Sequence, residues 1–455
     1  MCRLLSHDVV EVDVTKGNCG IRVVGAVAGA ALLLSGCGSA SHDARPAAKR
    51  RPVGMAHQGS APLPVPKGKG SKTPDDFNGD GHRDLVLNDL VKGESHGDDA
   101  GIGVVYGTSR GLAPAARQLL SPAKLAARTK GQLPAVFDAE ASCDLDKDGF
   151  TDLVVSTDPP YDGQGQPPVP LQILFGSPQG LAGQAVKLAI PARARFGNDW
   201  PDQPVCGDFD GDEAQDMVVH ASDGRLSFLR GPFTRKGAPR AAGAPVVPAG
   251  EVAGNVPTGP AVDVNRDGYD DLLVRTAEGR AAAAVVLGGP AGPTRPGFSL
   301  PTGSDVVFGR FGKGKGLDAA IGSAGGTALR YEVPGTLRGE LAVPGTALDT
   351  GDFDGDGLSE LVSSGTELKV FRGREGGLSA SDVSTVRPPA RGTTRVLAVA
   401  DFTGDGRADL AVRTYRGETK DTVAVYAGEK AGQTGGPVAA GPRITFSTAE
   451  FLRTN

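Results

Sequence analysis

The sequence predicts an all-β chain folded as a seven-bladed β-propeller with four-stranded blades and acidic loops in the hairpins between first and second strands. Three observations predict it. A ten-residue acidic stretch recurs along the chain. A strand-like run ending in glycine follows most copies in phase. The shorter spacings between copies match the roughly 40–50 residues of one blade.

The acidic stretch is clearest in DLDKDGFTDL, from Asp144 to Leu153. Asp144, Asp146, Asp148 and Asp152 stand at positions 1, 3, 5 and 9, with Gly149 at position 6. Carboxylates this close repel one another and raise each other's pKa unless a cation sits among them. Calcium takes six to eight hard oxygen ligands, and side chains spaced by two can converge on it. An EF-hand starts the same way but needs a bidentate Glu at position 12 and flanking helices. Position 12 here is Val155, in the apolar run DLVVS that reads as a strand. The stretch is therefore a metal loop within a β-hairpin.

Five further copies follow the same spacing. They are Asp76, Asn78, Asp80 and Asp84; Asp208, Asp210, Asp212 and Asp216; Asp263, Asn265, Asp267 and Asp271; Asp352, Asp354, Asp356 and Glu360; and Asp401, Thr403, Asp405 and Asp409. Five or six calcium sites are expected. The Asp208 loop is the least favoured, because Glu213 replaces the position-6 glycine where the backbone turns sharply. Neutral Thr403 and the longer Glu360 should weaken their own sites. A seventh copy, RFGKGKGLDA from Arg310, keeps Phe311 and Asp318 but places Arg310, Gly312 and Gly314 at three ligand positions. It should be metal-free, either an ordinary exposed hairpin or a loop with Lys313 or Lys315 where the ion would be.

The second element comprises VVYG (104–107), LQILFG (171–176), LSFLRG (226–231), AVVLGG (284–289), LKVFRG (368–373) and VAVYAG (423–428). Further apolar pieces, VKLAI (186–190) and ITFS (444–447), supply a fourth strand. One such sheet cannot bury both faces alone, but a closed ring of them can.

These loops resemble those of FG-GAP or VCBS-type repeats, related to the integrin α-subunit propeller, over residues 75–455. The resemblance implies a cation held by side chains at positions 1, 3, 5 and 9 and a main-chain carbonyl at position 7.

The amino end reads as a targeting segment (1–36). Lys16 and Arg22 precede the apolar run VVGAVAGAALLL (23–34), then LSGC ends at Cys37. The run is too short to span a bilayer core of ~30 Å as a helix. Leu-Ser-Gly-Cys resembles a bacterial lipobox, which implies lipidation of Cys37 and an anchor on the outer face of the cytoplasmic membrane. An ordinary signal peptide is the alternative. Asp8, Glu11 and Asp13 are unusual in such a leader and point to a start downstream of Met1. Residues 37–74 read as a flexible basic tether, and 75–455 as the propeller. Cys143 and Cys206 are the two cysteines of the fold and read as a bridge between blades 2 and 3 or as two buried thiols.

A net charge of −5 without a basic face argues against nucleic acid as partner. GTSRG (107–111) has the spacing of a nucleophile elbow, but GSPQG and GREGG hold the same turn in other repeats. Zinc and P-loop spacings do not occur. The expected function is a monomeric binding, adhesion or scaffold module for a protein, glycan or envelope polymer. The alternative is an extracellular polysaccharide hydrolase or lyase. The long loops 88–101, 157–170 and 190–204 should lie on the face away from the metal loops, with Tyr161 and Trp200 as its ligand-binding aromatics.

Overall fold

The computed structural model describes residues 62–452, except 92–98, 165–166, 198–199, 223–224, 244–255, 276–282, 313, 417–419 and 431–434. The described residues lie in one compact unit, Gly59–Asn455. The expected targeting segment and Cys37 lie outside them.

Seven antiparallel sheets follow one another along the chain. Blade 1 holds β1 (Leu85–Val91), β2 (Asp99–Val105) and β3 (Arg117–Leu120). Blade 2 holds β4 (Asp138–Cys143), β5 (Asp152–Ser156), β6 (Gln172–Leu174) and β7 (Val186–Lys187). Blade 3 holds β8 (Val205–Gly207), β9 (Asp216–His220), β10 (Leu226–Arg230) and β11 (Ala241–Ala242). Blade 4 holds β12 (Val256–Val262), β13 (Asp271–Arg275), β14 (Ala283–Leu287) and β15 (Arg295–Leu300). Blade 5 holds β16 (Asp305–Gly309), β17 (Asp318–Gly322), β18 (Thr327–Arg330) and β19 (Arg338–Leu341). Blade 6 holds β20 (Ala347–Gly351), β21 (Glu360–Ser364), β22 (Leu368–Phe371) and β23 (Val383–Val386). Blade 7 holds β24 (Thr393–Ala400), β25 (Asp409–Tyr415), β26 (Thr422–Tyr426) and β27 (Ile444–Ser447).

Both faces of each blade are buried, which explains the near-continuous apolar runs of the second strands. In β5, Leu153 and Val155 pack toward blade 1, while Val154 packs toward blade 3. In β9, Met217 and Val219 face blade 2 and Val218 faces blade 4. Period-2 geometry sends alternate side chains to opposite neighbours, so no polar face is needed. Each junction between adjacent blades has its own apolar cluster. The ring closes through the one that packs Leu85, Leu87 and Leu90 of blade 1 on Ala411, Val423 and Phe446 of blade 7.

Blade 1 shows three strands among the described residues. Asp84 N–H still donates to the Asp75 carbonyl at 2.8 Å, the rung that opens the first hairpin of the other blades. Asp75 then adopts φ 55°, and the chain leaves the sheet. At the vacated end, the Asn88 side chain pairs with both backbone groups of Ala139 in β4, at 2.8 and 3.0 Å. Arg413 of β25, buried with Asp421, donates to the carbonyls of Asn88 and Asp89.

Residues 62–74, expected as the end of the tether, pack instead on the propeller. Leu63 bridges to Ala116, Gly68 and Gly70 donate to the first loop, and Ser71 N–H reaches Gly149 of the second at 2.7 Å. Glycine and proline here follow the surface of two loops, which composition alone reads as a linker. The ordered unit therefore starts before residue 75.

Candidate metal centres

Each acidic loop links the first and second strands of its blade, or enters β1 in blade 1. Its anchor is the apolar residue at position 2. Phe77, Leu145, Phe209, Val264, Phe311, Phe353 and Phe402 are all buried. From that anchor the backbone turns through left-handed residues at positions 4 and 6. Position 6 is Gly149 at φ 85° in blade 2 and Glu213 at φ 62° in blade 3. Position 4 carries Lys147 at φ 61° and Arg266 at φ 62°. A side chain there costs roughly 1–2 kcal/mol. The acidic pattern does not mark position 4 as a left-handed site, because glycine stands there in only some copies.

The carboxylate at position 1 organises the turn. In blade 2, Asp144 accepts N–H groups from Asp148 at 3.1 Å and Gly149 at 2.8 Å. Asp208 and Asp263 do the same in blades 3 and 4. Position 5 accepts from position 7, as Asp148 does from Phe150 at 3.1 Å. Those bonds turn one edge of each carboxylate toward the backbone and leave the others to converge.

Position 9 has a further task. Asp152 accepts Leu145 N–H at 2.9 Å and Gly176 N–H at 2.9 Å. It thereby ties the loop to the glycine turn after the third strand. Asp84, Asp271, Glu360 and Asp409 repeat that tie, whereas Asp216 accepts Gly231 N–H at 2.8 Å and leaves its Oδ2 buried without a donor. Burial pushes the Asp152 and Glu360 carboxyls up to about 8 and Asp216 up to about 7, with neighbouring loop carboxylates adding to the rise.

Position 3 tests whether a cation fits. Asp146 Oδ1, Asp210 Oδ1 and both oxygens of Asp354 are buried without a hydrogen-bond donor. A buried polar oxygen left unpaired costs roughly 1–3 kcal/mol, more when charged. A hard dication among oxygen ligands removes that cost. Carboxylate oxygens of Asp144, Asp146 and Asp152 lie within 4.8 Å of one another, as do those of Asp208, Asp210 and Asp216, and of Asp352, Asp354 and Asp356. The residues present fit calcium at these three loops. In the Asp76, Asp263 and Asp401 loops, Asn78, Asn265 and Thr403 offer neutral oxygens at position 3.

Arginines at the rim were not anticipated. Arg235 pairs with Asp146 and Asp148, Arg240 with Asp212, Arg295 with Asp267 and Arg407 with Asp405. Arg230 lies 3.2 Å from Asp210 and Arg372 lies 3.7 Å from Asp354. Arg407 stands at position 7 of its own loop, and the others come from the strands and turns flanking the loops, outside the acidic pattern. In blade 1, Ser71 Oγ donates to Asp76 at 2.6 Å instead.

Blade 5 keeps the frame of the loop without its ligands. Asp318 accepts Phe311 N–H and Glu332 N–H, each at 2.7 Å. Glu332, at φ 51°, takes the place of the usual glycine, and its carboxylate accepts Lys315 N–H at 3.1 Å. Lys313 lies outside the described residues.

Cys143 and Cys206 form a disulfide between β4 and β8, with Cα atoms 6.3 Å apart. Tyr161 and Trp200 are 49% and 38% exposed, in the loops after β5 and β7. Phe196, 42% exposed under the Arg225 guanidinium, joins them. These loops lie opposite the metal loops, which pack instead on third-to-fourth-strand turns, as Phe233 N–H does on Leu145 at 2.7 Å. Glu140, at a bulge in β4, accepts Ser156 Oγ at 2.5 Å and is pushed up to about 7 by burial. Asp202 lies 2.8 Å from His220.

Residues 352–412, spanning the loops of blades 6 and 7, match the family model of the FG-GAP-like repeat. No curated protein matches the chain in sequence. Two solved structures are similar to it, both of BBS1N in complex with ARL6DN, one soaked with mercury and one with lead. They are 15% and 16% identical, over 67% of this chain and 79% of theirs, with TM-scores of 0.38 and 0.35.

Proposed function

We propose that this seven-bladed ring with FG-GAP-like repeats is an exported, lipid-anchored, calcium-binding module that recognises a protein, glycan or envelope polymer without turning it over. The buried, donor-less oxygens of Asp146, Asp210 and Asp354 support calcium in the loops. With one face committed to ions, recognition falls to the other, where long loops are free to carry it. The observation that carries the reading is the exposure there of Tyr161, Phe196 and Trp200 on two long loops. Exposed aromatics provide large contact areas to sugars and proteins at low entropy cost. In the full-length protein, Trp200→Ala and Tyr161→Ala should weaken retention on purified envelope polysaccharides or protein extracts without changing the melting temperature. Full retention with both replaced refutes the assignment of that face. Cys37→Ser should move the protein from the membrane fraction to the soluble fraction, and unchanged retention there refutes the anchor.

A second reading, a polysaccharide-cleaving enzyme, draws on Glu140, whose raised pKa suits a general acid on that face. Turnover on a polysaccharide panel, abolished by Glu140→Gln, would establish it.

A further inference from the structure

The first acidic loop differs from the other five in what lies over it. Asp76 is 1% exposed and Asn78 is fully buried, whereas Asp263 and Asn265, at the same positions in blade 4, are half-buried and exposed. Asp80, at position 5, is half-buried where its five counterparts are exposed.

The cover is the segment 66–71, which precedes the repeats. Gly68 N–H donates to the Asn78 carbonyl at 3.0 Å, and the N–H groups of Lys69 and Gly70 donate to the Gly79 carbonyl at 3.0 and 3.1 Å. Ser71 N–H reaches the Gly149 carbonyl, so the segment is fixed on the second loop as well. Two contacts hold the ligand side chains themselves. Ser71 Oγ donates to Asp76 Oδ2 at 2.6 Å, beside Gly81 N–H at 2.7 Å. The Asn78 side-chain amide donates to the Pro66 carbonyl at 3.0 Å, which turns its oxygen to the loop, where it accepts Asp80 N–H at 3.2 Å. The fit is close, since a Cβ at Gly68 would fall 1.8 Å from the Gly79 carbonyl oxygen.

The charge beneath this cover has no counter-ion from the protein. Each of the other five loops meets an arginine. Among the described residues, Asp76, Asp80 and Asp84 pair with none. Enclosing carboxylates away from water and from a cationic partner is costly. A calcium ion among them would remove that cost, so cover and ion should stabilise each other reciprocally.

We propose that residues 66–71 are a lid on the first metal centre, which holds its calcium occluded while the open loops exchange theirs with solvent. Pro66 and Ser71 act as positioning residues for Asn78 and Asp76. The inference rests on the calcium reading of the loops and adds to it a site with its own exchange behaviour, set by residues outside the repeat.

The test is calcium release from the loaded full-length protein on stopped-flow mixing with a fluorescent chelator. One ion should leave at least about tenfold more slowly than the rest, because its lid must open first. Asp76→Asn should abolish the slow phase, which identifies the loop. Gly68→Ala, which forces the lid off Gly79, should let that ion leave with the others, and Ser71→Ala should speed its release without disturbing the backbone. Amide exchange at residues 68–71 should be slower in calcium than in chelator. Release of all bound ions in one phase overturns the lid, as does a slow phase that survives Asp76→Asn or survives both Gly68→Ala and Ser71→Ala. Equal amide exchange in calcium and chelator overturns the reciprocal stabilisation. In each of these cases the calcium reading stands. Absence of any calcium binding overturns the lid and that reading together.

Discussion

Asp354 concentrates the case for an ion in a single side chain. It is 2% exposed, both oxygens lack donors, and Arg372 stops 3.7 Å away. Asp354→Asn should therefore act with opposite signs in two conditions. In chelator it removes a buried charge without a donor and should raise the melting temperature, by about 1–3 kcal/mol in stability. In calcium it removes a ligand, so the gain on adding the ion should shrink and equilibrium dialysis should count one ion fewer. A loss of stability in chelator would contradict the assignment. His220 illustrates a pH-dependent pair away from the loops. Burial alone would lower its pKa, but Asp202 at 2.8 Å raises it above 6.5 overall. The pair then adds stability below the unfolded value, and the gain is lost as pH rises through the folded pKa. His220→Gln should cost under about 1 kcal/mol, since both groups are partly solvated. Denaturation at paired pH values should show that cost near pH 5 and not near pH 9.

Within each hairpin, two jobs that look alike in sequence separate. Positions 1, 3 and 5 gather oxygens, position 2 holds the loop to its blade, and position 9 serves both, since Asp152 and Asp216 converge with the other carboxylates. Blade 5 demonstrates the division, since Phe311 and Asp318 persist with their bonds intact after the other ligands are lost. Asp318→Ala should leave calcium stoichiometry unchanged and still cost about 2–3 kcal/mol, because two buried N–H groups lose their acceptor. An altered ion count with normal stability would reverse the assignment. The repeat made the hairpins, their order and the converging residues legible, because each copy states the same local geometry. The glycine-ended runs located the third strands except β18, where Glu332 stands in for glycine. The path of residues 62–74 and the rim arginines other than Arg407 depend on contacts between distant segments, which spacing does not encode, and position 4 is hidden because Lys147 and Arg266 stand there in place of glycine. The disulfide was legible as a possibility, and only the adjacency of β4 and β8 decides it.

The ring as a whole closes between its first and last blades, and a buried ion pair sits at that seam. Arg413 reaches across it from blade 7 to two carbonyls of blade 1, with Asp421 as its counter-ion. Arg413→Met should cost about 3–5 kcal/mol, since Asp421 is left buried without its counter-ion, keeping the Arg416 N–H as a donor. Adding Asp421→Asn should recover much of the loss, and amide exchange should show the loss first in β1 and β25. A single variant with parental stability would mean that the apolar cluster alone closes the ring. The division of labour inside the hairpins has a consequence at this scale. A blade can gain or lose its ion without losing its shape, and each loop reports only to the two junctions beside it. Six such loops of unequal ligand sets would not switch together. The ring would stiffen by degrees as calcium rises, sector by sector, so that the surrounding concentration is read as a gradient of rigidity around the circle rather than as a threshold.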